Sequence, residues 1–266
     1  MPGKIYIGTS GWIYKGWAKT FYPADIPASA GARQFDFYAR HFPTVEINAS
    51  FYRMPTEKAV RDWHAHAPRG FTYAVKGSKA VTHFKKLIPG AKSFDMLLER
   101  IVGLREHLGP VLWQLPGRFK KNAQRLEDFC KSLPTRASES ADMRHAVEFR
   151  DPSWLDEEIF SILRKHRVAN VALSSLSMPM NLTTTTDFAY VRFHGLEGGA
   201  SHDYTRVELE PWAEHLRKCA REGVDAFVYF NNDINTRAPW NAMMLMEMVK
   251  KYAVKAAGAD TQRHLD

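Results

Sequence analysis

Polar side chains recur on one parity of the apolar runs in this chain. Val45 and Ile47 flank Glu46 and Asn48, Val147 and Phe149 flank Glu148 and Arg150, Val191 and Phe193 flank Arg192 and His194, and Val228 and Phe230 flank Tyr229 and Asn231. A strand turns successive side chains to opposite faces, so each run has one apolar face and one polar face. Candidate strands fall near residues 4 to 8, 44 to 48, 71 to 76, 111 to 115, 144 to 150, 168 to 174, 188 to 194 and 225 to 231. The segments between them carry helical spacing, as in Phe35, Tyr38, Ala39 and Phe42, in Phe94, Leu97, Leu98, Ile101 and Leu108, and in Leu155, Ile159, Ile162 and Leu163.

Strands alternating with helices predict a parallel sheet covered by helices on right-handed crossovers. An open sheet of that kind buries both faces and leaves no place for Glu46, Glu148, Arg150 and Arg192, whereas a closed sheet gives them a shared interior. The expected fold is therefore an α/β TIM-type (β/α)8 barrel. One crossover breaks the pattern: Ser175 to Asp187, with Met178-Pro179-Met180 and four consecutive threonines, has no helical period, so the link between strands 6 and 7 is expected to be irregular. The chain of 266 residues matches the roughly 250 typical of one such barrel. A single domain over residues 1–255 and a polar tail over 256–266 are expected.

Barrel sites form at the C-terminal ends of the strands. That rule selects Trp12, Glu46, Asn48, Lys76, Gln114, Glu148, Arg150, Arg192, His194, Asn231, Asn232 and Asp233, with Tyr52 and His83 on the loops that follow. Glu46 and Glu148 come from strands 2 and 5, and each needs a cation or hydrogen-bond donors if buried. A carboxylate among cations suits proton transfer, with Lys76, Arg150 and Arg192 clamping an anion. His194 titrates near neutrality and suits a share in that transfer. It also leads into Gly195 and Gly198-Gly199, a loop whose backbone N–H groups are candidates for holding a phosphate.

Charge sharpens the expectation. Lys plus Arg number 37 against 29 Asp plus Glu, a formal net charge of +8 that favours anionic partners. Lys76, Lys79, Lys85 and Lys86 follow one strand and Arg118, Lys120 and Lys121 the next, at the same barrel end. Cys130 and Cys219 lack metal or redox spacing, and Met1 to Ile7 enters a strand without a leader-like segment, so a cytoplasmic protein is expected, with no membrane partner. No metal or cofactor is expected, because Arg and Lys crowd the carboxylates and histidines that would ligate one.

The segments Gly8-Thr9-Ser10-Gly11-Trp12, Thr44-Val45-Glu46-Ile47-Asn48 with Phe51-Tyr52, Thr82-His83, Gln114-Leu115-Pro116, Ala146-Val147-Glu148-Phe149-Arg150 with Ser153-Trp154, Arg192-Phe193-His194-Gly195, Phe230-Asn231-Asn232-Asp233 and Asn241-Ala242 span most of the chain. Together they resemble the YecE-like family of bacterial and archaeal proteins, a domain of unknown function. The resemblance implies a TIM barrel and a cytoplasmic location, and it supplies no activity. The leading expectation is an enzyme for a small phosphorylated or carboxylated compound, with Glu46, Glu148 and His194 in catalysis and the other selected residues binding substrate. The alternatives are a metal-assisted phosphoesterase or nuclease, and a non-catalytic barrel that binds nucleic acid or protein.

Overall fold

The computed structural model describes residues 1–90, 92–138 and 141–258; the predicted polar tail lies outside the described residues from 259 onward. Eight strands form one parallel sheet: β1 Ile5–Thr9, β2 Thr44–Ile47, β3 Thr72–Lys76, β4 Leu108–Gln114, β5 His145–Glu148, β6 Val168–Ser174, β7 Phe188–Phe193 and β8 Asp225–Phe230. Each pairs in parallel with its neighbour in sequence from β2 through β8, and β8 pairs with β1.

Closure between β1 and β2 is made differently. Beyond the strand end, Ser10 bridges Glu46, and Gly11 N–H donates to the Glu46 carbonyl at 2.8 Å. Below that point the buried Tyr38 hydroxyl crosses the seam, accepting from Thr9 N–H at 2.9 Å and donating to the Thr44 carbonyl at 3.0 Å. Gly8 permits this approach, since a Cβ there would lie 2.1 Å from the Thr44 oxygen. The expected (β/α)8 barrel is thus observed.

Among the described residues seven helices of nine residues or more pack outside the sheet: α1 Gly31–Ala39, α2 Glu57–His66, α3 Lys92–Ile101, α4 Ala123–Ser132, α5 Glu157–Lys165, α6 Arg206–Arg221 and α7 Arg237–Met248. Side-chain oxygens of Thr56, Asn122 and Asp156 cap α2, α4 and α5, and Thr205 with Glu208 forms a capping box on α6. No helix separates β6 from β7 among the described residues. Instead Thr185 Oγ1 accepts from Asn170 N–H at 2.8 Å and donates to the Val168 carbonyl at 2.6 Å. The threonine side chain stands in for a ladder bond, which holds this crossover extended along β6, as its lack of helical period led us to expect.

Two local features differ from the sequence reading. β4 begins at Leu108, three residues before the predicted start, because the apolar set of α3 ends at Ile101 and a short 3-10 segment, Val102–His107, follows. A small antiparallel pair, Arg136–Ser138 with Ala141–Asp142, precedes β5 and was not expected.

The two parities of the strands build two cores. Ile5, Ile7, Val45, Ile47, Val147, Val191 and Val228 face outward and are buried against the helices. The opposite parity fills the barrel: Tyr6 stacks on Phe227 at 4.9 Å, Phe188 meets Phe227 edge-on at 6.0 Å, and Tyr190 and Tyr229 lie 5.3 Å apart above them. Ala74, Leu112, Ala146, Ala169 and Val171 complete this interior. The barrel is a packed plug, with Arg144 lying over Phe188 and Phe227 at its lower end and the fully buried Glu46, Glu148 and Arg192 in its uppermost layer.

Candidate functional site

That uppermost layer lies at the C-terminal ends of the strands. Glu46 from β2 and Arg192 from β7 are both 0% exposed and meet fork to fork: Arg192 Nη2 donates to Glu46 Oε1 at 2.7 Å and Nε to Oε2 at 2.9 Å. Ser10 Oγ donates to the first of these oxygens at 2.9 Å, and the Tyr190 hydroxyl to the second at 2.7 Å. Tyr190 remains a donor because burial, and then the Glu46 charge, push its hydroxyl well above the ordinary tyrosine range.

Arg192 Nη1 reaches across to Glu148 Oε2 at 2.5 Å and to His194 Nε2 at 2.9 Å, and Nη2 also approaches Ser10 Oγ at 3.4 Å. Its five N–H groups are therefore all directed at protein acceptors. Its charge is matched by the two carboxylates and its donors are directed at groups inside the layer. Burial acts to lower its pKa, yet Glu148 and Glu46 more than offset this and raise it above the ordinary arginine value, holding the guanidinium charged.

Glu148 is occupied in the same way. Its Oε1 accepts from Gln114 Nε2 at 2.6 Å and from Arg150 Nε. Burial alone would raise its pKa, but Arg150, Arg192 and His194 together hold the carboxyl well below the ordinary range. A carboxylate so stabilised is a weak base, and Glu46 has four hydrogen bonds on two oxygens. Both carboxylates hold the arginines of the layer in place.

His194 accepts from both arginines, with Arg150 Nη2 2.9 Å from its Nε2, and Asn231 Nδ2 lies 3.2 Å from Nδ1. Burial, then the Arg192 charge, lower its pKa to about 4. The imidazole is neutral at physiological pH and orients Arg150. Asn48 links the seam to this group, donating to the Ser10 carbonyl at 3.3 Å and approaching Asn231 Oδ1 at 3.5 Å.

Lys76 closes the layer from β3. Its side chain is almost buried, at 8% exposure, and its Nζ lies 4.3 Å from the centre of the Phe51 ring. Among the described residues no carboxylate lies within ion-pair distance of it, and no acceptor takes its hydrogens. Burial, followed by the Arg192 charge, lowers its pKa to about 8, with Glu46 and Glu148 opposing. His83 meets the same Phe51 ring edge-on at 5.0 Å, and its own pKa is lowered by burial and by Lys76 and Arg150.

Other selected positions lie elsewhere. Trp12 is buried in the outer core against Phe35 and Trp63. Asn232 turns outward, donating to the His202 carbonyl at 2.8 Å and to Asn241 Oδ1 at 2.7 Å. The Asp233 carboxyl is half-buried, which raises its pKa. Tyr52, 70% exposed, stands on the rim beneath Lys79 Nζ at 5.7 Å. In the glycine loop, Gly195 N–H donates to the Tyr204 hydroxyl at 2.9 Å and Gly199 N–H to the Leu196 carbonyl at 2.9 Å. Of the basic loops, Lys120 pairs with Asp151 at 3.0 Å and Lys121 with Glu158 at 2.6 Å.

Sequence reasoning passed over Tyr190, although it shares the parity of Arg192 two residues on. Phe51 was named there only within the Phe51-Tyr52 segment. A cavity of about 800 Å³ opens at the other end of the barrel and is lined by residues that include Arg144, His145, Arg167 and Phe188. We place the site at the charged layer instead, because the basic groups of that cavity are engaged, Arg144 with Asp225 at 3.1 Å and Arg167 with Asp187 at 3.3 Å. A histidine and carboxylate group, half-buried His64, exposed Glu106 and buried His107, lies outside the charged layer. Within the layer, guanidinium groups occupy the carboxylates that would ligate a metal.

A family model described as "Protein of unknown function DUF72" matches residues 6–264. The chain is 29% identical to UPF0759 protein YunF of Bacillus subtilis (strain 168), over 92% of this chain and 94% of the relative. It is 27% identical to UPF0759 protein YecE of Escherichia coli (strain K12), over 54% of this chain and 50% of the relative. A crystal structure of a DUF72 family protein from Thermotoga maritima MSB8 superimposes with a TM-score of 0.81 at 28% identity, covering 93% of this chain and 99% of that one. D-psicose 3-epimerase from Clostridium cellulolyticum H10 has a TM-score of 0.50 at 12% identity, covering 82% and 93%, a likeness of fold alone.

Proposed function

Since the chain belongs to the DUF72 family, whose description carries no activity, its chemistry has to come from its own residues, and we propose that it is an enzyme for a small phosphorylated or carboxylated substrate. The substrate binds over the charged layer at the C-terminal face. The observation that carries this reading is the unequal pairing in the layer. Glu46 and Glu148 are matched by Arg192 and Arg150, and Lys76 is left over without a carboxylate. An unpaired amine in a nearly closed polar layer draws an anion. Arg150, 22% exposed, turns Nε and Nη2 inward, and its Nη1 has no partner among the described residues. It is the guanidinium open to a ligand, with Lys79 and His83 on the rim. Gln114 and Asn231 orient neighbouring hydroxyl or carbonyl groups. The free, buried thiols of Cys130 and Cys219 accord with a cytoplasmic setting. Among the described residues no helix is long and apolar enough to cross a membrane.

Thermal shift against inorganic phosphate, phosphoglycolate and pyruvate, with a neutral hexose as control, tests this reading. A ligand at 100 times its Kd stabilises by about 2.7 kcal/mol, which gives a visible shift. Stabilisation by an anion in the wild type and its loss in Lys76→Met is the expected result. Equal behaviour of every anion and the neutral sugar defeats it.

A further inference from the structure

Lys76 is the one cation of the charged layer with neither a carboxylate nor a hydrogen-bond acceptor among the described residues, and its environment bears on the form its amine takes. The arginines hold both carboxylates, and burial is the main cause that disfavours its proton, with Arg192 and Arg150 acting in the same direction and Glu46 and Glu148 against it. Its only close contact of note is the face of Phe51. A lysine serving as a structural counter-ion sits against a carboxylate, as Lys121 does with Asp156 and Glu158. A lysine that reacts through its lone pair is desolvated beside other cations. Lys76 has the second environment.

We propose that the reacting group of the substrate is an aldehyde or ketone and that Lys76 Nζ condenses with it to form a Schiff base. This rests on the small-anion reading and extends it: the anionic group of the same molecule meets Arg150 while its carbonyl meets the amine. The lone pair of the neutral nitrogen attacks the carbonyl carbon, the C–N bond forms, and the C=O π pair moves to oxygen. The nitrogen gives up a proton, the oxygen takes up two in all, and the C–O bond breaks to release water. The balance is one amine, one carbonyl and one proton in, and one iminium and one water out. His83, on the same Phe51 ring, is placed to pass protons between this step and solvent.

A shift of the lysine value from 10.5 to about 8 makes the neutral fraction of Lys76 at pH 7 about 300-fold that of an ordinary lysine. The test is borohydride trapping of the full chain with pyruvate and, separately, with pyridoxal 5′-phosphate, at pH 7 and pH 9, followed by peptide mapping. The expected result is a reduced adduct on Lys76 at least about tenfold above any other lysine at pH 7, absent from Lys76→Arg and Lys76→Met. That preference should shrink at pH 9 as surface lysines deprotonate. Adducts spread evenly over the lysines at pH 7 overturn the Schiff base. If phosphate or pyruvate still raises the melting temperature in that case, the small-anion reading stands alone. If neither stabilisation nor a preferred adduct appears, both fall. Folding of Lys76→Met is checked by circular dichroism, and Lys76→Arg keeps the charge, so loss of the adduct in a folded variant is assigned to the amine.

Discussion

Replacing Lys76 by methionine should stabilise this protein at neutral pH, the opposite of what removing a buried side chain usually does. The amine is 8% exposed, has no carboxylate in ion-pair range among the described residues, and has a pKa lowered from 10.5 to about 8. Each pKa unit corresponds to 1.36 kcal/mol, so the folded state bears about 3 kcal/mol for holding the proton that the unfolded chain binds freely. Losing the cation–π contact with Phe51 returns about 0.5 to 2 kcal/mol of that. A net gain of about 1 to 3 kcal/mol remains for Lys76→Met at pH 7, or about 3 to 10 °C in melting temperature for a chain of this size. The sign follows from the lowered value. Below pH 8 the penalty is complete, and it fades as pH rises toward 10.5, where the unfolded lysine also loses its proton. Urea unfolding followed by circular dichroism at pH 7 and pH 10 should therefore show a gain at the first pH that has mostly gone at the second. A loss of stability at pH 7, or an equal gain at both, refutes the claim that Lys76 is an uncompensated amine.

Three further outcomes follow from the same geometry. Arg192→Met leaves two fully buried carboxylates without their shared partner and should lower stability by about 3 to 5 kcal/mol in urea unfolding; a change no greater than that of Lys58→Ala, whose pair with Asp62 is exposed, would contradict the network. Gly8→Ala places a Cβ 2.1 Å from the Thr44 carbonyl and should force the β1–β2 seam apart, read as a lower melting temperature and faster hydrogen exchange at Thr9 N–H. Acid should weaken the fold in two stages. His145 and His194, ordinarily near 6.5, are held to about 4 by burial, so between those values the unfolded chain binds protons that the folded one refuses, and stability falls as pH drops. Glu148 follows in the second stage: its stabilisation is complete above the ordinary carboxylate value and drains as pH falls through its depressed one. A urea midpoint that stays level from pH 7 to pH 4.5 would rule this out, and His145→Gln should flatten the first stage.

Periodicity along the chain determined a great deal here. The alternation around Glu46, Glu148 and Arg192 told which face of each strand carried charge, because a strand's two faces follow from local geometry alone. The helical spacing between runs then made a closed parallel sheet the arrangement that buries that face. The threonine-rich link before β7 was likewise legible, since it lacks a helical period. What alternation does not encode is who pairs with whom. Glu46 and Arg192 are 146 positions apart, and only closure of the ring turns them fork to fork. The strand-end rule selected Trp12 and Asn232 beside Lys76, yet the chain past a strand end follows the turn, and it carries those two side chains outward. Residue types named the charges of the layer. Their pairing in three dimensions decided that two arginines are matched by two glutamates and that the remaining cation is Lys76.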